Sequence, residues 1–431
     1  MSVQLQLGHT ESIAARVKSP AGSCVLVLVG HYLPGYKAGG PIRSIESLVG
    51  ALGGDFHFKI VTLDRDLGDK SAFPGIVANR WVRVGHADVM YLRPGLLGFF
   101  GMYALLRSVD RKTILYLNSF FARRFSMLAV LMRWLKLCRA KCLVLAPRGE
   151  FSQGALQFKH TRKRVYLGIS QWLGLYQGLI WHASSDFEET DIRRQFPLLK
   201  RVAVTGVIPS LEAGDGKRPT SHVVIASDIP SSAPPVRRER RTKMPCELRA
   251  VFVARCSRMK NLAGALRMLG GVSGDISFDI YGPAEDADYW EECQGLIAAL
   301  PPNIHVQYCG QVEHSEINQV FASHDLLLFP TLGENYGHVI CEALVSGCPV
   351  LISDQTPWRG LEALEAGWDL PLSDPERFRE VLQRCVDMGP EEHTAMCARA
   401  AAAGASRASD TAVIEDNRAL FRLALGAPIS K

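Results

Sequence analysis

The sequence predicts an α/β protein of two domains, each organised around a mostly parallel sheet. Short continuous apolar runs recur at 24–30, 58–63, 114–117, 142–145 and 179–183, and again at 248–254, 278–282, 304–308, 326–329 and 349–352. Runs of that length without polar alternation suit strands buried on both faces, as in parallel sheets covered by crossover helices. Between the two series the chain turns Pro- and Ser-rich from Ile229 to Pro235, then strongly basic from Arg237 to Arg241. Such a composition buries little and joins domains. The expected organisation is an N-terminal extension over 1–21, a first domain over 22–228, a linker over 229–246, a second domain over 247–410 and a closing helix over 411–431 that crosses back to the first domain.

With 431 residues, 47% apolar and 21% charged, the chain has the composition of a globular protein with room for sizeable cores. Its eleven cysteines include no C-x-x-C pair, which points to buried thiols in a reducing compartment rather than a disulfide framework or a zinc site. The first twenty residues lack a signal-peptide core, and no apolar run is long enough to span a bilayer. A cytoplasmic location is expected.

The net charge of +6 is unevenly spread. From Phe121 to Val165 the single acidic residue, Glu150, stands among eleven Lys and Arg. Phe125, Leu128, Leu131, Met132, Trp134 and Leu135 mix with these basic positions at helical spacing. A helix of that kind can lie at an anionic membrane surface, on the inner face of the membrane, or can turn its apolar side to a core and its basic side to water. No nucleic-acid-binding signature accompanies the charge, so no nucleic-acid partner is expected.

Taken in order, the strand at 24–30 leads through a glycine-rich turn, Gly39-Gly40-Pro41, into a helix at 42–52. Glycines between strand and helix let backbone N–H groups approach a phosphate, although the G-x-G-x-x-G dinucleotide spacing is absent. The strand at 58–63 ends in Asp64-Arg65-Asp66, a run that reads as a solvated loop or as oxygen ligands for a divalent cation. The strand at 142–145 ends in Ala146-Pro147-Arg148-Gly149-Glu150, at the edge where open α/β sheets gather ligands. The stretch 198–221 shows no clear pattern and reads as an inserted loop.

In the second series, the strand at 248–254 opens into Arg255-Cys256-Ser257-Arg258-Met259-Lys260. The strands at 278–282 and 304–308 follow, the latter ending in Gly310-Gln311-Val312. The strand at 326–329 then feeds Pro330 to Leu344, which contains Glu334-Asn335-Tyr336-Gly337-His338 in a loop and Glu342 in the helix that it opens. A loop ending at a helix N-terminus offers free N–H groups and partial positive charge to a phosphate. Asp374-Pro375-Glu376 marks a further capped helix start.

Glu334 and Glu342 with seven residues between them, Asn335-Tyr336-Gly337 after the first, Ala343-Leu344 after the second and Ser346-Gly347-Cys348-Pro349-Val350 beyond, resemble the signature of retaining glycosyltransferases of family four (group 1). That resemblance implies a GT-B fold, two Rossmann-like domains facing each other across a cleft. It implies sugar transfer from a nucleotide diphosphate sugar, with retention and without a metal or other cofactor, to a glycan or lipid-linked acceptor in polysaccharide biosynthesis. Glu334, Arg255 and Lys260 would be catalytic, the two cations stabilising charge on the departing phosphate. Gly39, Gly40, Gly310, Gln311, Val312, Asn335, Tyr336, Gly337, His338 and Glu342 would bind the donor, Glu342 through the ribose hydroxyls.

Relatives often carry His-Gly where this chain has Arg148-Gly149, so Arg148 and Glu150 are candidates either for contacts to the acceptor or the sugar or for a structural ion pair with each other. The Asp64-Arg65-Asp66 run, taken as a metal site, would instead suit the other large glycosyltransferase fold. An epimerase on the same fold and a non-catalytic membrane-associated protein are the competing readings.

Overall fold

Fifteen strands form two sheets in the computed structural model, which describes residues 23–157, 160–202, 221–230 and 242–426. The first sheet comprises β1 (Cys24–Leu28), β2 (His57–Leu63), β3 (Trp81–Val84), β4 (Ala87–Leu92), β5 (Ile114–Asn118), β6 (Cys142–Ala146), β7 (Ile180–Ala183), β8 (Lys200–Arg201) and β9 (His222–Ile225). Their order is β3-β4-β2-β1-β5-β6-β7-β9-β8, and β3 is antiparallel to β4 while the other pairings are parallel. The second sheet comprises β10 (Glu247–Val253), β11 (Asp275–Tyr281), β12 (Ile304–Gly310), β13 (Leu326–Phe329), β14 (Val350–Ser353) and β15 (Gly367–Leu370), all parallel in the order β12-β11-β10-β13-β14-β15.

That second order is the doubly wound one, and the run β4-β2-β1-β5-β6-β7 repeats it in the first sheet. In such sheets the chain leaves in opposite directions on either side of the first strand, and the crevice opened there at the carboxyl ends holds ligands. The loops after β1, β10 and β13 border these two crevices. Both faces of the first sheet are covered by apolar clusters, and a third cluster fills the second domain.

The closing helix, Thr411–Ala424, packs on the first sheet: Phe421 lies 5.3 Å from Phe56 and 5.7 Å from Tyr116, between ring centroids. Arg418 pairs with Asp55 at 2.9 Å, and the Asn417 amide donates to the Ser227 carbonyl at 2.8 Å.

Several elements differ from expectation. The sequence carries no signal for the β3–β4 hairpin or the helix Gly95–Ser108; β8 lies inside the stretch expected to be a patternless loop and β9 follows it, and 203–220 of that stretch lie outside the described residues. The extension over 1–21, most of the linker including Arg237 to Arg241, and 427–431 also lie outside them. The described ends of the linker are built into the domains. Ile229 belongs to a cluster of the first sheet, while the buried Lys243 ammonium donates to the Val386 and Met388 carbonyls of the second domain at 3.0 Å each. Among the described residues no helix is long and apolar enough to cross a membrane.

Candidate active site

A cleft of about 340 Å³ runs between the domains. Gly39, Gly40, Arg43, Ser44, Arg148 and Asp228 line it from the first, and Arg255, Lys260, Gln311, Val312, Glu334 to His338 and Glu342 from the second.

The floor is set by the loops after β10 and β13. Asn261 is the N-cap of Leu262–Leu269; its side chain accepts from Gly264 N–H at 3.2 Å and donates to the Pro330 carbonyl at 2.8 Å. Leu332 N–H donates to Met259 O at 2.8 Å, and the two loops are thereby stitched together. Lys260 is thus held opposite Glu334, and its ammonium donates to Oε2 at 2.6 Å, both side chains more than four-fifths buried. The other oxygen, Oε1, accepts from Asn335 N–H at 3.2 Å. A carboxylate can take about four hydrogen bonds, so Glu334 keeps acceptor capacity for further donors in the cleft. Arg255 reaches the same cleft but pairs with Glu285 at 3.3 Å on the open surface, a weak tie that leaves the guanidinium able to turn to an anion.

The helix His338–Val345 points its N-terminus into the cleft. Gly337 is its N-cap with φ of 83°, and a Cβ there would fall 2.9 Å from Ile340 Cδ1 and 3.0 Å from the Trp358 indole nitrogen. That nitrogen is fixed, donating to Tyr336 O at 2.7 Å. Glu342, one turn on, is half-buried. Burial raises its carboxyl above the ordinary glutamate range, with His338 and Arg43 opposing.

Polar groups of the first domain meet this helix. Ser44 donates its one proton to Asp228 Oδ2 at 2.6 Å, so the His338 Nε2 that lies 3.0 Å from the Ser44 oxygen must carry a proton and donate. The other Asp228 oxygen pairs with Arg148 in a buried ion pair. Arg148 also donates to Asn118 Oδ1 at 2.6 Å and to the Tyr116 hydroxyl at 2.8 Å. Tyr116 in turn meets His182 Nδ1 at 2.8 Å, while His182 Nε2 faces the Ala226 carbonyl at 2.8 Å. A carbonyl only accepts, so Nε2 carries the His182 proton and Nδ1 accepts from Tyr116. Burial and then Arg148 push His182 down to about 4, so the ring is neutral. Burial alone would raise the Asp228 carboxyl, but Arg148, with His338 and Ser44, holds it far below the usual carboxylate range.

Asp228 had not been singled out from the sequence. It lies just beyond the short strand β9, which sits next to the edge of the sheet, and neither that strand nor the Arg148 partner has a local signal.

Glu150, expected at the sugar or acceptor, is instead turned into the loop after β5. It accepts from the Phe120 and Phe121 N–H groups at 2.6 and 3.0 Å and from the Ser119 hydroxyl at 2.8 Å. Gly149 N–H is taken by the buried Glu188 at 2.8 Å. Gly310 sits behind the cleft wall, its carbonyl accepting from Gly282 N–H at 2.7 Å, while Gln311 and Val312 face the cleft.

The Asp64-Arg65-Asp66 run is structural. Asp66 Oδ2 accepts from the Tyr36 and Lys37 N–H groups at 2.8 and 3.1 Å and shapes the glycine-rich loop, and Asp64 pairs with Arg65 at 2.8 Å. Among the described residues no group of three or more His, Cys, Asp or Glu is placed to hold a metal ion.

Residues 238–402 match the model of glycosyl transferases group 1. Over that segment the second domain is similar to the group 1 glycosyl transferases. The fold of the whole chain is GT-B, as the solved structures show. The Anabaena protein Alr3699/HepE, in complex with UDP-glucose, is 14% identical with a TM-score of 0.61 over 93% of this chain and 99% of its own. An E. coli structure described as trehalose-6-phosphate bound with UDP-2-fluoro glucose is 12% identical with a TM-score of 0.62 over 95% and 100%. WaaG, a glycosyltransferase involved in lipopolysaccharide biosynthesis, is 13% identical with a TM-score of 0.59 over 92% and 98%. A comparison with curated proteins finds no match. The Lys260–Glu334 pair and the helix that carries Glu342 both fall within the matched group 1 segment.

Proposed function

We propose that the protein is a retaining glycosyltransferase that moves a sugar from a nucleotide diphosphate donor to a glycan or lipid-linked acceptor in polysaccharide assembly, without a metal. It would act in the cytoplasm, at the inner face of the membrane. The observation that carries this reading is the Lys260–Glu334 pair at 2.6 Å beneath a helix N-terminus, at the switch point of a doubly wound sheet. The diphosphate would take the place where Lys260, Arg255 and the first N–H groups of His338–Val345 converge. Glu334 would accept hydrogen bonds from donor hydroxyls and face the positive charge that grows at the anomeric carbon.

In the step itself, the bond from the anomeric carbon to the phosphate oxygen breaks. The acceptor oxygen bonds to the same face of that carbon, and its proton passes to the departing phosphate oxygen. Cations at the diphosphate lower the barrier by stabilising the charge left on it. The nucleotide-sugar ligands of the Anabaena and E. coli structures support the donor class, and the lipopolysaccharide role of WaaG supports a glycan or lipid-linked acceptor.

A thermal-shift screen of nucleotide sugars tests the reading. A donor bound in the cleft raises the melting temperature with concentration, and that donor then supports transfer. Absence of stabilisation by every nucleotide sugar, at concentrations up to several millimolar, would count against it.

A further inference from the structure

Three helices of the first domain carry large apolar side chains that stand exposed among the described residues. On Gly95–Ser108, Leu96 is 76% exposed and Phe100 62%, one turn apart, with Leu97 beside them. On Leu128–Trp134, the inner positions Leu128 and Met132 enter the core, while Leu131 and Trp134, with Leu135 beyond, face out. On His160–Trp172, Val165, Ile169 and Trp172 form an outward stripe at spacings of four and three, with Trp172 84% exposed.

Two ties set these helices side by side. Arg124 donates to the Arg93 and Gly95 carbonyls at 3.2 and 2.8 Å, and the Trp134 indole donates to the Leu173 carbonyl at 3.1 Å. Exposed apolar side chains gathered in this way mark a surface that meets a partner.

Charge decides the kind of partner. From residue 93 to 177 the sequence holds fifteen Lys and Arg against two acids, Asp110 and Glu150. Glu150 is committed to the loop after β5. Arg93, Arg107, Arg123, Lys136, Arg139, Arg162 and Arg164 are exposed around the apolar residues. A second copy docked through the same face would bring like charges together, which a two-fold interface pairs against themselves. Of the eleven exposed large apolar side chains on or beside these helices six are aliphatic and have no ring to stack on a base. Trp, Phe and Leu ringed by Arg and Lys fit the interface of a bilayer with anionic headgroups, each basic residue near such a surface contributing about fivefold in affinity.

We propose that the face formed by Gly95–Ser108, Leu128–Trp134 and His160–Trp172 seats the first domain on an anionic lipid bilayer as a peripheral contact. The helices Gly95–Ser108 and Leu128–Trp134 follow the carboxyl ends of β4 and β5, the sheet edge that also borders the cleft, so a lipid-borne acceptor has a short path from bilayer to site. The inference deepens the acceptor reading and rests on it for the purpose of the contact, but its test uses neither donor nor acceptor.

The test is co-sedimentation of the full chain with vesicles of phosphatidylcholine alone and with about one-third phosphatidylglycerol, at low and high salt. Binding to the anionic vesicles alone is expected, weakening by tenfold or more at high salt. Leu96→Glu with Phe100→Glu, Trp172→Glu, and Arg162→Glu with Arg164→Glu should each weaken it at least tenfold, while leaving the melting temperature unchanged. A blue shift of tryptophan emission on anionic vesicles should shrink in Trp172→Phe. Equal binding to both vesicle types, undiminished binding in the variants, or no vesicle binding together with a dimer that the same substitutions dissociate would overturn the proposal. Failure here leaves the sugar-transfer reading standing, because that reading is tested by donor stabilisation and turnover.

Discussion

The ammonium of Lys260 and the carboxylate of Glu334 lie 2.6 Å apart, joining the loop after β10 to the loop after β13 at the floor of the cleft. Each holds the other in place before a donor arrives, which is what electrostatic preorganisation requires. Lys260→Ala removes a cation from the diphosphate place and loosens Glu334, so turnover should fall by about 10²–10³. Lys260→Arg should recover part of this, since charge returns without the same geometry. Steady-state rates of nucleoside diphosphate release measure both.

Asp228→Asn leaves Arg148 buried beside a neutral partner. Breaking a buried pair from one side costs about 3–5 kcal/mol, which a denaturant melt reads directly. The double variant Arg148→Met with Asp228→Leu should recover much of that loss. Because the folded Asp228 pKa is depressed below its unfolded value of about 3.9, its contribution is complete above about pH 4 and fades as pH falls further. Acid unfolding of Asp228→Asn should therefore be less steep than that of the native chain.

Glu342 is affected in the opposite direction, its carboxyl raised by burial. On the proposed reading Glu342 accepts hydrogen bonds from the ribose hydroxyls, and a protonated carboxyl accepts them more weakly than a carboxylate. Donor affinity should be full above the raised pKa and should weaken as pH drops through it, beginning above the ordinary glutamate value of about 4.3. Glu342→Gln should bind donor about tenfold more weakly at neutral pH and show a flatter acid limb by calorimetric titration.

Gly337→Ala puts a side chain at φ of 83° and 3.0 Å from the anchored Trp358 nitrogen. The backbone alone costs about 1–2 kcal/mol. The helix start must shift, so donor affinity should fall together with the melting temperature.

Asp66→Ala removes the acceptor for the Tyr36 and Lys37 N–H groups. The glycine-rich loop should loosen, raising KM several-fold with a smaller change in kcat, and the effect should be the same with and without a chelator.

Much of this architecture is legible in the sequence because β1, β5, β6, β7, β13 and β14 are continuous apolar runs buried on both faces. The helix Gly95–Ser108 was not, since Leu96, Leu97 and Phe100 are apolar on its outer side and erase the 3.6-residue contrast. Lys260, Glu334 and Glu342 were visible as a pattern within one domain. Asp228 was not, because its meaning depends on Arg148, eighty residues away, and on His338 in the other domain. Glu150 misled because adjacency to Arg148 says nothing of where the side chain turns, and the bare N–H groups of Phe120 and Phe121 captured it.

The most direct measurement is nucleoside diphosphate release from a panel of nucleotide sugars with a glycan acceptor, comparing the native chain, Lys260→Ala and Glu334→Ala in excess chelator. Release by the native chain, unchanged by chelation and lowered at least a hundredfold in both variants, is the expected result. Release that survives both substitutions, or that chelation abolishes, would contradict the central role of the Lys260–Glu334 pair.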